Sequence, residues 1–532
     1  MAETDLLVDA DHGVEPAFDY VDLFAGIGGF HAALAALGGR CVYVSEIDPL
    51  ASEVYRRNWG RDVVQVDPDV PPIRGDINID APQRDEASGR RDGQVRVPRH
   101  DVLAAGFPCQ AFSKSGAQMG VLDKTRGTLF FNIIRILTER RPKIVFLENV
   151  RNLAGPKHRE TWDTIIASLE EIGYEVAWSP MVVSPHLVDP KDGGTPQIRD
   201  RVFILGIYRG KERRMPARDT PVTIDRTLLV GSAPEWDLAT TPIPWLDGRP
   251  ILQDADEIEN LQRYALSPLE VRWIDAWDAF VRILRRAGAA LPGHPIWTDW
   301  FMTEDELRAD RRLSTAVEAM PGWKKDFVWK NVRFYEKNRA AILRWQADET
   351  TKDFASFPES RRKLEWQAQD TSTLWECLMH LRPSGIRAKK PTYVPALVAI
   401  TQTSIVGPLR RRLTPVETAR LQGLPDAFTF GDQPEAATYK QLGNGVAAGA
   451  VHYTLRMFVK RYADELRPTL PGLVAAVEAA DETGWVPPAP HLLSDHRRAE
   501  LDEITRQAVE DGLYDATADD YREALCQARR AG

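Results

Sequence analysis

A chain of 532 residues has room for two domains and an appendage. It is 43% hydrophobic and 27% charged, and no uninterrupted apolar run approaches the ~18 residues of a membrane helix, so a membrane protein is not expected. The four cysteines, Cys41, Cys109, Cys377 and Cys526, are far apart and form no CxxC or Cys/His cluster, which argues against a zinc site or a disulfide scaffold. The acidic start MAETDLLVDADHG lacks the positive charge of an export signal, so a reducing cytoplasm is expected. The net charge of −9 is unevenly spread: residues 1–20 carry −6 and 461–532 carry −7, leaving +4 between them. Residues 381–412 hold seven Lys or Arg and no acid, a distribution able to present a basic face to phosphates. Within that stretch Arg387, Lys389 and Lys390 are the candidates for nucleic-acid contact.

In chain order, an acidic tail (1–17) gives way to alternating strands and helices as far as 208. FDYVDLF (18–24) reads as a strand running into the turn AGIGG, FHAALAALG as a helix, and CVYVSEI (41–47) as the next strand. DVLAAGF (101–107), KIVFLENV (143–150) and RVFILGIY (201–208) are further strands, with LFFNIIRILTER (129–140) and ETWDTIIASLEEIG (160–173) as helices between them. This alternation predicts an α/β fold with a mainly parallel sheet covered on both faces. From 209 the texture changes: eleven of the 15 tryptophans fall before 410, amid many prolines, marking a second domain in which the tryptophans are expected mainly in the core. TPVETARLQGL (414–424) predicts a helix with Thr414 as N-cap and Pro415 at the first helical position. A Pro-rich joint, WVPPAPH, lies within the tail 465–532, ahead of a charged helical stretch.

Four segments carry chemistry. Glycines 26, 28 and 29, between a strand and a helix, let the backbone pass close beneath a cofactor. Glu46 ends the next strand, where an acid can accept hydrogen bonds from ribose hydroxyls, and Gly75-Asp76-Ile77 follows the third. The glycine spacing is not GxGxxG, so hydride chemistry is not favoured. In GFPCQAFS, Cys109 follows a strand in a Pro-containing turn, and the glycine-rich loop KSGAQMGVLDKTRGT after it suits a lid. In FLENV, Glu148 ends an apolar strand, where a partly buried carboxyl has a raised pKa and can protonate a ring nitrogen. In QIRDR, strand alternation would put Gln197, Arg199 and Arg201 on one face with Asp200 opposite, two arginines converging on a phosphate or base oxygen.

DLFAGIGG, SEIDP, GDI, GFPCQAFS, TRGTLFF, FLENV and QIRDR, followed by RRLTPVETARLQGLPDAF and QLGNGV, resemble in order the motifs of the DNA (cytosine-5) methyltransferase family. The resemblance covers residues 18–208 and 405–460 and is silent on the tails and on most of the insert. It implies a Rossmann-like catalytic domain (18–208 with 438–464) and a smaller target-recognition domain (209–437); composition alone marks 465–532 as an acidic, helical or partly disordered extension. Cys109 matches the nucleophile, Glu148 the acid that pairs with cytosine, and Arg201 with Arg199 the arginines near the base, with Gln197 in a more structural place. Phe24, Gly26, Ile27, Gly28, Glu46, Ile47, Asp76, Ile77, Leu129, Asn444 and Val446 match positions around S-adenosylmethionine, whose product would be S-adenosylhomocysteine, with no metal. Ser113, Arg126 and Gly127 match the loop that closes over DNA. One departure is Gly445, where the family usually has Ser.

The resemblance further implies a bacterial, nucleoid-associated monomer acting on double-stranded DNA, with a cognate restriction endonuclease as a separate partner. Two readings stay open beside it: an RNA cytosine-5 methyltransferase, and a non-catalytic DNA-binding protein on the same scaffold. The ~200-residue insert between QIRDR and RRLTP argues against the first, and the joint presence of Cys109, Glu148 and Arg201 against the second.

Overall fold

The computed structural model describes residues 15–68, 70–82, 94–108, 128–177, 179–210, 234–397 and 403–491. Cys109, Ser113, Arg126, Gly127, residues 1–14 of the acidic tail and 492–532 of the extension lie outside the described residues.

The first half alternates as the sequence predicted: β1 (Phe18–Leu23), α1 (Gly29–Ala35), β2 (Gly39–Ser45), α2 (Pro49–Trp59), β3 (Ile73–Arg74), α3 (Ile77–Asp80), β4 (Val102–Gly106), α4 (Thr128–Arg140), β5 (Ile144–Val150) and α5 (Arg159–Glu171). β6 (Tyr174–Val176), β7 (Met181–Val183), β8 (Gln197–Ile198) and β9 (Arg201–Tyr208) follow. The sheet order is β3-β2-β1-β4-β5-β9-β6, with β7 also on β9. Its first five strands are parallel, while β9 runs antiparallel to β5. Strand alternation divides the apolar side chains between two cores. Phe18 and Tyr20 face a core built with α1, while Val21 and Leu23 face one closed by α4 and α5 through residues such as Ile133, Ile136, Ile165 and Leu169. A strand buried on both faces reads as a continuous apolar run, which is why these strands were legible.

The insert forms a second sheet. Its helices are α6 (Pro268–Arg286), α7 (Glu304–Ala309), α8 (Arg311–Glu318) and α9 (Gly322–Gln346). Its strands are β10 (Ile296–Trp297), β11 (Lys363–Gln367), β12 (Leu378–Arg382), β13 (Gly385–Lys389), β15 (Ile405–Val406) and β16 (Arg411–Arg412), in the order β10-β11-β13-β12-β15-β16. One face packs on α6 and α9 through Trp277, Phe280, Trp345, Leu364, Met379 and Ile386. Of the eleven tryptophans expected mainly in the core, Trp323 is the exposed one. The remaining strand, β14 (Val394–Pro395), leaves this sheet and pairs with β8, joining the insert to the catalytic edge.

The chain then returns to the first sheet with α10 (Pro415–Leu421), α11 (Glu435–Asn444), α12 (Ala448–Arg461), α13 (Ala463–Leu466) and α14 (Pro471–Thr483). Thr414 caps α10 in a capping box with Glu417, as its sequence predicted. Ala419, Leu424 and Phe428 enter the first core, whereas Leu413 and Leu421 pack with Trp236, Leu238 and Ile243. The span 414–437 thus serves both units. Leu473, Val474 and Val477 of α14 and the buried Trp485 also join the first core, so 471–485 is part of the catalytic unit's packing rather than a free appendage.

Candidate active site

At the carboxyl end of β1 the backbone turns through left-handed conformations at Phe24 (φ 57°), Gly26 (φ 57°) and Gly28 (φ 90°). A Cβ on Gly28 would collide with the Trp59 indole, whose Nε1 donates to the Ile27 carbonyl at 3.1 Å. A Cβ on Gly26 would meet nothing within 4 Å. The turn is therefore held from below by packing and is open above, where a ligand can approach the backbone.

Glu46 fastens this turn. Its Oε2 accepts from the Gly26 amide at 2.7 Å and its Oε1 from the Asp48 amide at 2.8 Å. Burial pushes its carboxyl up to about 7, against the pull of those amides. Each oxygen keeps a lone pair for a sugar hydroxyl. Ile47 beside it is 43% exposed, an apolar face at the sheet edge. Asp76 caps α3, accepting from the Asn78 amide at 2.9 Å, and Leu129 opens α4 partly buried. Ile27 and Ile77 have buried side chains, one in each core, so a ligand would meet them through their backbone.

From the far end of the chain, exposed Asn444 and partly buried Val446 reach the same place, since a Cβ on Gly29 would lie 2.6 Å from the Val446 carbonyl oxygen. An open backbone cradle, a carboxylate at the end of the second strand and an exposed apolar side chain fit the sugar and ring of a nucleoside-type cofactor.

Two strands away lies the second half of the site. Glu148, near the end of β5, is level with Gly106 at the end of β4. Its Oε1 meets Arg201 Nε at 2.7 Å. Burial raises its carboxyl above the usual range, and Arg201 and Arg199 pull it only partly back. Burial thus favours the protonated form of a carboxyl that stands near a strand end. Asn149, whose role the sequence did not reveal, donates from Nδ2 to the Phe107 carbonyl at 2.9 Å and so pins the backbone two residues before Cys109.

The QIRDR segment does not form one continuous strand: β8 ends at Ile198 and β9 begins at Arg201. The two arginines therefore do not hydrogen-bond a common partner, although the charge of each reaches Glu148. Arg201 turns to Glu148, whereas buried Arg199 donates to the carbonyls of Leu397 (3.0 Å), Gly443 (2.8 Å) and Gly445. Burial lowers its guanidinium to about 9. Arg199 is a clamp between QIRDR, the end of the insert and QLGNGV. Gln197 is likewise spent on structure, donating to the Leu421 carbonyl at 3.2 Å.

The basic stretch is less free than its sequence suggests, because acids distant in sequence fold onto it. Arg387 pairs with Glu365 (2.7 Å) and Lys390 with Asp370 (2.6 Å), while Arg411 is buried against Glu417 (2.6 Å). Lys389 lies 3.7 Å from the Tyr393 ring centroid, and burial beside Arg387 lowers its ammonium to about 8.

The family model for C-5 cytosine-specific DNA methylases matches residues 18–460. The chain is 44% identical over 505 residues to the type II methyltransferase M.AluI of Cellulosimicrobium cellulans, covering 84% of this chain and 92% of that one. It is 28% identical over 469 residues to M.BanI of Aneurinibacillus aneurinilyticus (84% and 97%), and 37% identical over 186 residues to M.HhaI of Haemophilus parahaemolyticus (35% and 48%). Among solved structures, a putative prophage DNA modification methyltransferase from E. coli aligns at TM-score 0.40 and 20% identity, covering 83% of this chain and 98% of that one. With the motifs in order, the open glycine cradle and the Glu148–Arg201 pair on one sheet edge, the chain belongs to the C-5 cytosine-specific DNA methylases.

Proposed function

We propose that this DNA (cytosine-5) methyltransferase methylates cytosine in double-stranded DNA at a specific sequence, with Cys109 as nucleophile and Glu148 as acid. S-Adenosylmethionine, when bound, supplies an electrophilic methyl group and leaves as S-adenosylhomocysteine; Phe24, Gly26, Glu46, Ile47, Asp76, Leu129, Asn444 and Val446 would hold it. C5 of cytosine is too weak a nucleophile to accept that methyl unaided. Addition of the Cys109 thiolate to C6, with a proton given to N3 by Glu148, makes C5 enamine-like. Once C5 carries the methyl, solvent water takes the C5 proton, the thiolate is eliminated from C6 and the N3 proton returns to Glu148, which restores the aromatic ring. Arg201 orients the Glu148 carboxyl and adds positive charge that favours thiolate over thiol. The nucleophile and the acid are both side chains, so the chemistry calls for no metal.

The target base must leave the stack, at a cost of a few kcal/mol. Ser113, Arg126 and Gly127 belong to the loop that would close over it, and the insert (209–437) would read the surrounding sequence, with Arg387, Lys389 and Lys390 near phosphates. The protein would act as a monomer, alongside a separate restriction endonuclease of the same specificity. The Glu148–Arg201 pair, one residue pairing from the strand that leads to Cys109, carries this reading.

Bisulfite sequencing of DNA from cells expressing the protein tests it directly and yields the recognition sequence. Labelled methyl donor offered with duplex DNA or transfer RNA should mark the DNA; label on RNA alone would overturn the assignment. Cys109→Ser should abolish turnover and leave DNA binding within a few-fold. An active serine variant would remove Cys109 from the mechanism.

A further inference from the structure

The outer face of the second sheet continues past its basic strands into an aromatic surface that the reaction does not use. Strand register fixes which residues share that face. Ile296, Leu364, Ile386, Met379 and their alternates point inward to α6 and α9. Trp297 on β10 is paired with Lys363 on β11, and two residues along β11, Glu365 is paired with Arg387 on β13. Lys363, Glu365 and Arg387 therefore face outward. Half-buried Trp297, on the edge strand, also packs against the small core of Leu307, Val317, Val328 and Val332, where the N-terminal part of α9 passes the sheet edge. Lys363 Nζ sits 5.7 Å from the Trp297 ring centroid. Trp297 then packs on Phe327 of α9 at 5.6 Å, and Phe327 on Trp323 at 6.2 Å, with Lys330 Nζ 5.5 Å from the Phe327 ring. Trp323 is 63% exposed, the most exposed large hydrophobic among the described residues. It opens a helix with seven Lys or Arg against two acids.

The opposite end of the same face reaches the catalytic edge. Lys389 packs on Tyr393, which packs on His186 at 5.3 Å, and His186 shares the Ser184 hydroxyl with the Arg199 amide. A strip that is aromatic and net basic, and that begins at the catalytic edge, matches the alternation of sugar faces and phosphates along a duplex.

We propose that Trp297, Phe327 and Trp323, with Lys330 and Lys363, form a second DNA-contact surface that grips duplex flanking the recognition sequence. The rings would lie against deoxyribose and the ammonium groups against phosphates, exchanging their present partners Asp326 and Glu359 for the polyanion. From Arg387 to Trp297 the strip crosses two strand spacings, ~10 Å or about three base pairs, before α9 extends it further.

This inference rests on the functional reading above, and the test separates the two. The full-length protein is titrated with two unmethylated duplexes carrying the sequence found by bisulfite sequencing. One has about two flanking base pairs on each side, closed by hairpin loops, and the other about fifteen. The wild type should bind the long duplex about ten-fold more tightly through its added phosphate contacts. Trp323→Ala should remove most of that advantage, and Lys363→Gln should lower the salt slope on the long duplex by about 1. Both variants should methylate the short duplex at the wild-type kcat, which also shows that they fold. Equal binding of both duplexes by the wild type overturns this inference alone. So does a Trp323→Ala protein that keeps the preference, or one that loses a self-association seen in the wild type, which would make the strip a contact between copies. No methylation of either duplex by the wild type overturns the functional reading and this one with it.

Discussion

Glu46 and Glu148 are two carboxylates of one sheet whose surroundings suit them to different work. Both are raised by burial, but Glu46 is held by backbone amides and Glu148 by a guanidinium. For Glu46 the consequence lies in binding. Its carboxyl titrates near 7, and only the ionised form accepts from a sugar hydroxyl with both oxygens. Affinity for S-adenosylmethionine should therefore rise as pH increases from about 6 to 8, and Glu46→Gln should flatten the curve. Calorimetric titration across that range checks it, and a flat wild-type profile would remove Glu46 from cofactor binding. For Glu148 the consequence lies in rate. A raised pKa keeps more of the acid protonated near neutrality, so single-turnover methylation should slow as pH rises through that pKa. Glu148→Gln, which cannot give up its proton, should cost about 10²–10⁴ in rate with duplex binding retained. A glutamine variant of undiminished rate would exclude the proton-donor role.

Elements are what bring distant residues to these positions. Arg199 closes the joint between the start of β9, the end of the insert and the end of α11, holding three carbonyls from one buried side chain. Arg199→Met keeps the volume but leaves those carbonyls without a donor, a loss of about 1–3 kcal/mol for each that stays dry. The melting temperature should fall by several degrees, and cofactor affinity with it, because Gly443–Val446 would no longer be pressed onto the glycine turn. An unchanged melting curve would mean that water replaces the guanidinium. QIRDR illustrates the limit of period-two reasoning. The alternation of Gln197, Arg199 and Arg201 was legible, but the break between β8 and β9 rotates the two arginines to different partners. By contrast β1, β2, β4, β5 and β9 were legible within a few residues, because burial on both faces demands unbroken apolar runs.

For the whole molecule, a chain of net charge −9 binds a polyanion only if its charges are segregated. Should ~6–10 phosphates be contacted, affinity falls by ~10³–10⁵ between 50 and 200 mM salt. A binding isotherm that ignores salt would place the DNA elsewhere than on the second sheet.

While the order of its strands came from the fold, the sequence by itself revealed the family's motifs, the glycine turn and the main strands of the first sheet. Each of these is local, depending on which side chain or φ angle the chemistry tolerates at one position. Tertiary structure alone decided that Arg199 is a clamp while Arg201 meets the acid, that Asn149 steadies the approach to Cys109, and that 471–485 belongs to the core. It also decided that Lys363, Glu365 and Arg387 share one face of the second sheet. Those outcomes depend on pairings between residues tens to hundreds of positions apart, and neither hydrophobic period nor local charge records which distant group will arrive.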